Sequence, residues 1–236
     1  MEDHNIAPIN PLPMVVWILV LPMIAVEIAL SLGAAGAVGG ATAIGWRLSA
    51  MESFGFFPDY WRQQAEHGLI SLDVLRRFFT YSFVHQAAVS TIFGVVLTLA
   101  IGKTVGEVFK PWAVAVVFFG SAAIGALVFG TVVQSQPLFG AFPGVYGLIG
   151  AMSFILMFGI GEPPTRAFRL IGGLLVIQLV FGVVFTLLPL VFPDMGEMPL
   201  GWDWVADLSG FATGFLLSFV VSPGGFGRLR ARVRQR

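Results

Sequence analysis

The sequence predicts an all-α integral membrane protein with six transmembrane helices and a long amphipathic loop after the first. Of its 236 residues, 57% are hydrophobic and 11% charged, and the mean hydropathy is +0.88, values well outside those of a soluble globular domain. Six apolar stretches, at 13–32, 83–102, 111–133, 143–160, 168–192 and 203–222, approach the roughly 20 residues of helix that a bilayer needs. Outside the first loop, where arginines are offset by acids, Lys and Arg fall between alternate stretches, as in a chain threaded back and forth across a membrane.

Composition also excludes functions. Acidic and basic residues number 13 each, so there is no net field to draw in nucleic acid. The chain has no cysteine, which removes disulfides, thiol nucleophiles, iron–sulfur clusters and thiolate zinc sites. His4 and His67 lie outside any ligand spacing, and neither a metal nor a cofactor is expected.

Residues 1–12 carry Glu2 and Asp3 but no Lys or Arg. That differs from the positive start of a signal peptide, so the first stretch is expected to remain as a span, although Gly33–Ala37 is small enough to mimic a cleavage site. Within that span, Pro22 frees a backbone carbonyl and Glu27 is an acid inside an apolar run. The loop at 33–82 balances Arg47, Arg62, Arg76 and Arg77 against Glu52, Asp59, Glu66 and Asp73. Its aromatics, Trp46, Phe54, Phe56, Phe57, Tyr60 and Trp61 among them, point to short amphipathic helices at the interface, with the apolar side toward lipid or toward the bundle. The fourth stretch is the shortest, bounded by Pro143 and by Gly161 with Pro163 and Pro164; Pro143 suits a first helical position, where an N–H has no partner anyway. In the sixth, Gly210 and Gly214 form a GxxxG pair that allows close helix approach.

Lys103 and Lys110, then Arg166 and Arg169, then Arg228, Arg230, Arg232, Arg234 and Arg236 mark the cytoplasmic loops. The alternate segments agree: 134–142 has no charge and 193–202 only Asp194 and Glu197. Both termini are therefore expected in the cytoplasm of a bacterial inner membrane. One membrane domain at 13–222 is expected, with an Arg-rich tail at 223–236 whose charges attract anionic lipid by about 1 kcal/mol each.

Three segments carry a resemblance. Phe79-Thr80-Tyr81-Ser82-Phe83-Val84-His85 follows the pair Arg76-Arg77, Gly140-Ala141-Phe142-Pro143-Gly144-Val145-Tyr146 opens the fourth span, and Ala206-Asp207-Leu208-Ser209-Gly210-Phe211-Ala212-Thr213-Gly214 lies in the sixth. In this order, with six spans and a long first loop, the chain resembles the rhomboid intramembrane serine proteases over most of its length. The resemblance implies a rhomboid-like bundle and a Ser–His dyad for peptide hydrolysis, the serine from GxSG and the histidine from AHxxGxxxG. Here the serine position is Phe142, the following glycine Pro143 and the histidine Asp207. Ala206, Gly210 and Gly214 match. Of the oxyanion motif HxxxxHxxxN, His85 matches, while Ser90 and Gly94 replace the second histidine and the asparagine. Tyr146 matches the tyrosine that packs on the histidine, and Arg77 the arginine of a first-loop WR motif whose tryptophan is Arg76.

Serine catalysis needs a nucleophile, a base in reach and preorganised donors. Phe142 cannot attack or deprotonate and is expected to fill the pocket; Pro143 lacks an N–H. Ser90 and His85, if on one helix, would be rotated by about 140° and separated by about 7.5 Å. Ser153 would lie roughly 16 Å below Phe142, and Ser209 points away from its neighbour Asp207. The expectation is a non-catalytic pseudoprotease.

Glu27 and Asp207 are acids within spans and therefore functional candidates. Asp207 is either a wet first-turn acid or the acceptor of a hydrogen bond from Tyr146 that pins spans four and six. Glu27 either pairs with a first-loop arginine or marks a partner surface. A proton path would need a chain of such groups, and Gln178 alone is available. His85 reads as a structural hydrogen-bonder. The expected function is recognition of transmembrane segments of a partner protein, in contact with membrane lipid and without nucleic acid; altered hydrolysis and transport of a small solute or protons are the alternatives.

Overall fold

The structure is a computed structural model that describes residues 11–158 and 201–223. Four described helices are long and apolar enough to cross a membrane: α1 (Met14–Ala34), α5 (Ala88–Gly106), α6 (Pro111–Val132) and α8 (Asp203–Val221). The shorter α7 (Phe142–Phe158) has 17 residues, about 25 Å of helix. Between α1 and α5 lie α2 (Trp46–Phe54), α3 (Pro58–Glu66) and α4 (Leu72–Thr80). Apart from one isolated bridge, the described regular structure is helical, as composition and span pattern predict for a membrane bundle. The expected fifth span, Gln178, the Arg166–Arg169 loop and the arginine-rich tail lie outside the described residues.

One boundary differs from expectation. The second span begins at Ala88 rather than 83, because Tyr81–Phe83 forms a single 3-10 turn and Val84 is extended. The apolar residues there pack instead of spanning: Tyr81 and Ser82 are fully buried, and the Tyr81 carbonyl accepts from Gly140 N–H at 2.9 Å. His85 therefore sits ahead of α5, not on it. Phe142 is the first residue of α7 and Pro143 the second, still within the turn whose amides have no intrahelical acceptor.

The bundle is centred on α6, α7 and α8, which meet through glycines. A Cβ on Gly210 would collide with the Pro143 carbonyl, one on Gly214 with the Gly147 carbonyl, and one on Gly150 with the Phe211 carbonyl. On α6, Ser121 faces Gly147, and a Cβ on Gly125 would stand 2.8 Å from the Ala206 oxygen. Small residues thus bring backbones into contact, where in lipid close dispersion packing must replace hydrophobic driving force. Around this seam, Val16, Leu19 and Met23 of α1 and Val105 of α5 join Val114, Phe118, Leu148 and Phe154 in one apolar core.

The first loop is a folded unit, not a linker. Arg77 donates to Asp73 at 2.8 Å and to the carbonyls of Glu52 and Gly55 at 2.8 and 2.9 Å, between the rings of Phe57 and Tyr60. Arg76 shares Asp73 and reaches the Ser53 carbonyl. Phe56 and Leu138 exchange backbone hydrogen bonds of 3.2 and 2.8 Å, which docks this unit on the segment leading into α7. Of the three short helices, α3 and α4 have the expected amphipathic character and α2 does not, and part of the loop's apolar side faces the bundle: Phe56, Val74 and Tyr81 are buried.

Gly210→Val should lower the unfolding temperature in detergent markedly, since backbone cannot rotate away as a side chain can and overpacking costs about 1–3 kcal/mol or more. Gly45→Ala, whose Cβ would meet nothing within 4 Å, should be nearly neutral in the same assay. The hydrogen bonds from Arg77 and Arg76 hold the Asp73 carboxyl down at about 2, below its ordinary 3.8. A depressed carboxylate stabilises the fold above its unfolded value and loses that contribution as pH falls through the folded one. Protease accessibility of the first loop should therefore rise between about pH 4 and pH 2, and Asp73→Asn should reduce that pH dependence.

Candidate functional site

A carboxylate in an apolar helix has to be met by donors, and Glu27 is. Arg47, the second residue of α2, donates to both its oxygens, at 2.6 and 3.1 Å. Ser31, one turn on, donates at 2.6 Å, and Thr91 of α5 at 2.7 Å. Of the two sequence readings of Glu27, the structure supports the first-loop arginine. Arg47 also donates to the His85 carbonyl at 3.0 Å, so the network reaches from α1 through α2 to the segment before α5.

His85 carries the network onward. It is 1% exposed, and its Nε2 accepts from the Ala141 N–H at 3.2 Å. An acceptor Nε2 leaves the proton on Nδ1, which is buried and has no partner among the described residues. The ring fits because two glycines leave space: a Cβ on Gly94 would stand 3.0 Å from Nε2, and one on Gly140, whose φ is +92°, 3.1 Å from Cδ2. Imidazole, Gly94 and the start of α7 thus form one packed corner, with the Phe142 ring 6.4 Å from that of His85.

Beside this corner lies a cleft of about 100 Å³, lined by Gln86, Ser90, Leu138, Phe139, Phe142, Pro143, Asp203 and Asp207. Phe142 is one of its walls, with its ring edge-on to that of His85. The cleft lies near the level of Gly125, where α6 meets both Ala206 and Pro143. Gly125 precedes Val132, the end of α6, by seven residues, about 10 Å of helix.

The structure therefore gathers Ser90, Phe142, Pro143 and Asp207 at one cleft, with His85 and Gly94 beside Phe142 and Ala141, while Ala206, Gly210 and Gly214 lie in the seam of α8 against Gly125, Pro143 and Gly147. Tyr146 is half-buried one turn further along α7. No hydrogen bond between Tyr146 and Asp207 is among those the described residues make; backbone contact through glycines joins α7 to α8 instead. Arg77 lies apart, in the first-loop cluster. Ser153 and Ser209 donate to the carbonyls four residues back, Ile149 and Val205, each at 2.6 Å. Among the described residues no three His, Asp or Glu are placed to hold a metal.

Sequence reasoning missed Arg47 as the specific partner of Glu27, and it missed Thr91, Gln86, Asp203 and Gln136. Asp203 accepts from the Gln136 amide at 3.3 Å, and Gln136 accepts from Trp202 N–H at 3.2 Å, tying the α6–α7 segment to α8. Asp203 and Asp207 stand one turn apart on α8, a spacing that could have signalled a shared acidic face.

Glu27→Gln should destabilise the protein toward the lower end of the about 3–5 kcal/mol seen on breaking buried pairs, because Arg47 and Glu27 retain 23% and 13% side-chain exposure. Thermal unfolding of Glu27→Gln, Arg47→Met and the double variant should show coupling, the double being less destabilised than the sum.

A family model, the Rhomboid domain, matches residues 73–224. No curated protein matches the chain. The matched segment runs from α4 past the end of α8 and takes in every residue of the cleft. The chain belongs to the rhomboid family of integral membrane proteins.

Proposed function

We propose that this rhomboid-family protein binds transmembrane segments of partner proteins without cutting them, in a holding, trafficking or assembly role. The observation that carries the reading is the chemistry of the cleft. Its α7 wall presents Phe142 and Pro143 and its α8 wall Asp207, where the family resemblance puts a serine, a glycine and a histidine. His85 does not stand in as a base, because its Nε2 lone pair is taken by the Ala141 N–H. Nor is Gly94 a neutral loss: a side chain there would press on that same nitrogen. Set against the resemblance, the nucleophile and base positions and two of the three oxyanion positions carry other residues, only His85 being kept, which supports a reading without the serine mechanism. The reading keeps the orientation drawn from Lys and Arg, with both termini on the cytoplasmic side of a bacterial inner membrane.

Altered hydrolysis is the second reading, and one observation favours it: the Ser90 hydroxyl shares the cleft with the carboxylates of Asp203 and Asp207. Purified protein exposed to a fluorophosphonate probe should remain unlabelled; labelling at Ser90 would overturn the non-catalytic reading in favour of hydrolysis. Immunoprecipitation from mild detergent after cross-linking in native membranes should recover membrane proteins. Recovery of none above background would overturn the binding role.

A further inference from the structure

A cavity of about 340 Å³ opens among the elements of the first loop, separate from the cleft. Its walls include Glu52 of α2, Phe57, Asp59 and Tyr60 around the start of α3, Arg77 of α4, and Ser135 from the segment between α6 and α7. Three of these side chains bear charge, and two are answered within the loop. Asp59 is paired with Arg62 at 2.7 Å. Arg77 meets Asp73 at 2.8 Å and the carbonyls of Glu52 and Gly55, while its neighbour Arg76 is turned to the Ser53 carbonyl and the Phe54 ring. Glu52 differs: its backbone oxygen is used, but its carboxylate has neither a hydrogen bond nor an ion pair among the described residues.

The cavity lies along the way out of the cleft. Phe139 lines the cleft, its ring occupies the space that a Cβ on Gly55 would need, and it meets the Phe57 ring edge-on at 6.1 Å. One aromatic pair therefore divides the two spaces. The cleft is near the level of Gly125, about 10 Å short of the Val132 end of α6, and Ser135 lies three residues past that end. A helix seated in the cleft thus brings its extramembrane flank to the cavity after about seven residues. What the flank meets there is one unanswered carboxylate beside two rings, a setting that suits a cation on an apolar stem. Basic residues gather on the cytoplasmic flank of membrane helices and are scarcer on the opposite one, so a positive charge read there distinguishes one segment from another.

We propose that this cavity receives a single basic side chain, lysine or arginine, from the flank of the transmembrane segment held in the cleft, its charge at Glu52 and its aliphatic stem against Phe57 and Tyr60. The inference rests on the binding role proposed above and adds to it a rule for choosing partners: a positive charge on the flank opposite the cytoplasm, about two helical turns beyond the residue at the cleft.

Three synthetic transmembrane helices of leucine and alanine, about 20 residues long and alike except for arginine, glutamine or glutamate at one flank, can be titrated into the purified full chain in detergent by microscale thermophoresis. The arginine peptide should bind about three- to ten-fold more tightly than the glutamine peptide, and the glutamate peptide least, as for a partly exposed ion pair supported by aromatic contact. Glu52→Gln should erase the preference for arginine while leaving the affinity for the glutamine peptide unchanged, and Glu52→Lys should turn the preference toward glutamate. Equal binding of all three peptides, or a preference that survives in Glu52→Gln, would overturn this inference and leave the binding role standing. Binding of none of them would overturn both. If Glu52→Gln fails to fold, Ser135→Lys places a competing cation at the same cavity from an exposed position and should erase the preference likewise; a preference that persists there counts against the proposal.

Discussion

Inside a bilayer a carboxylate has only protein to answer it, and Glu27 is answered by an arginine and two hydroxyls from three helices. That requirement organises much of the molecule. Arg47 is drawn from the first loop to the flank of α1, its remaining hydrogen-bonding capacity fixes the His85 carbonyl, and His85 in turn receives the amide that opens α7. Each step satisfies a polar group that would otherwise be buried at a cost of about 1–3 kcal/mol or more. A first loop that would be loose in water is thereby held against membrane helices from its start, by Arg47, and from its middle, by the Phe56–Leu138 bridge.

The same chain of contacts explains why the cleft has its present shape. The imidazole occupies a corner open only because positions 94 and 140 have no side chain, and the Phe142 ring rests against it at the edge of the cleft. The positions around the imidazole therefore depend on one another: Gly94 accommodates His85, His85 holds Ala141, and Ala141 precedes Phe142. A histidine that in isolation invites a catalytic reading is here a hydrogen-bond acceptor for a backbone amide.

Much of this architecture is legible in the sequence, for physical reasons that also mark where legibility ends. Spans are written in long apolar runs, and the GxxxG pair at Gly210 and Gly214 signals backbone contact because few other reasons retain two glycines in a helix. The start of the second span is not legible in this way, since hydropathy does not separate residues that face lipid from those that pack, and Tyr81 and Val84 belong to the second class. Glu27 announces its need for a cation, but four arginines in the first loop meet that description equally; only the fold selects Arg47. The expected bond from Tyr146 to Asp207 assumes that two polar residues on adjacent helices find each other, whereas glycine spacing already determines how those helices meet. Asp203 escapes notice because it stands at the mouth of its helix, where an acid is ordinary.

The glycine seam has a mechanical consequence. Where α7 and α8 touch, carbonyl oxygens rest in the gaps left by Gly150, Gly210 and Gly214, so no rotamer change can loosen the joint and no small shear can slide it without backbone colliding with backbone. These two helices, with α6 locked behind them through Ser121 and Gly125, behave as a single rigid stator. Contacts between α1 and α5 are of another kind, side chain against side chain around Val16, with Gly102 beneath it. Among the described helices, the contact between α1 and α5 is the one that can yield by a change of rotamer, on the side that Glu27 clamps.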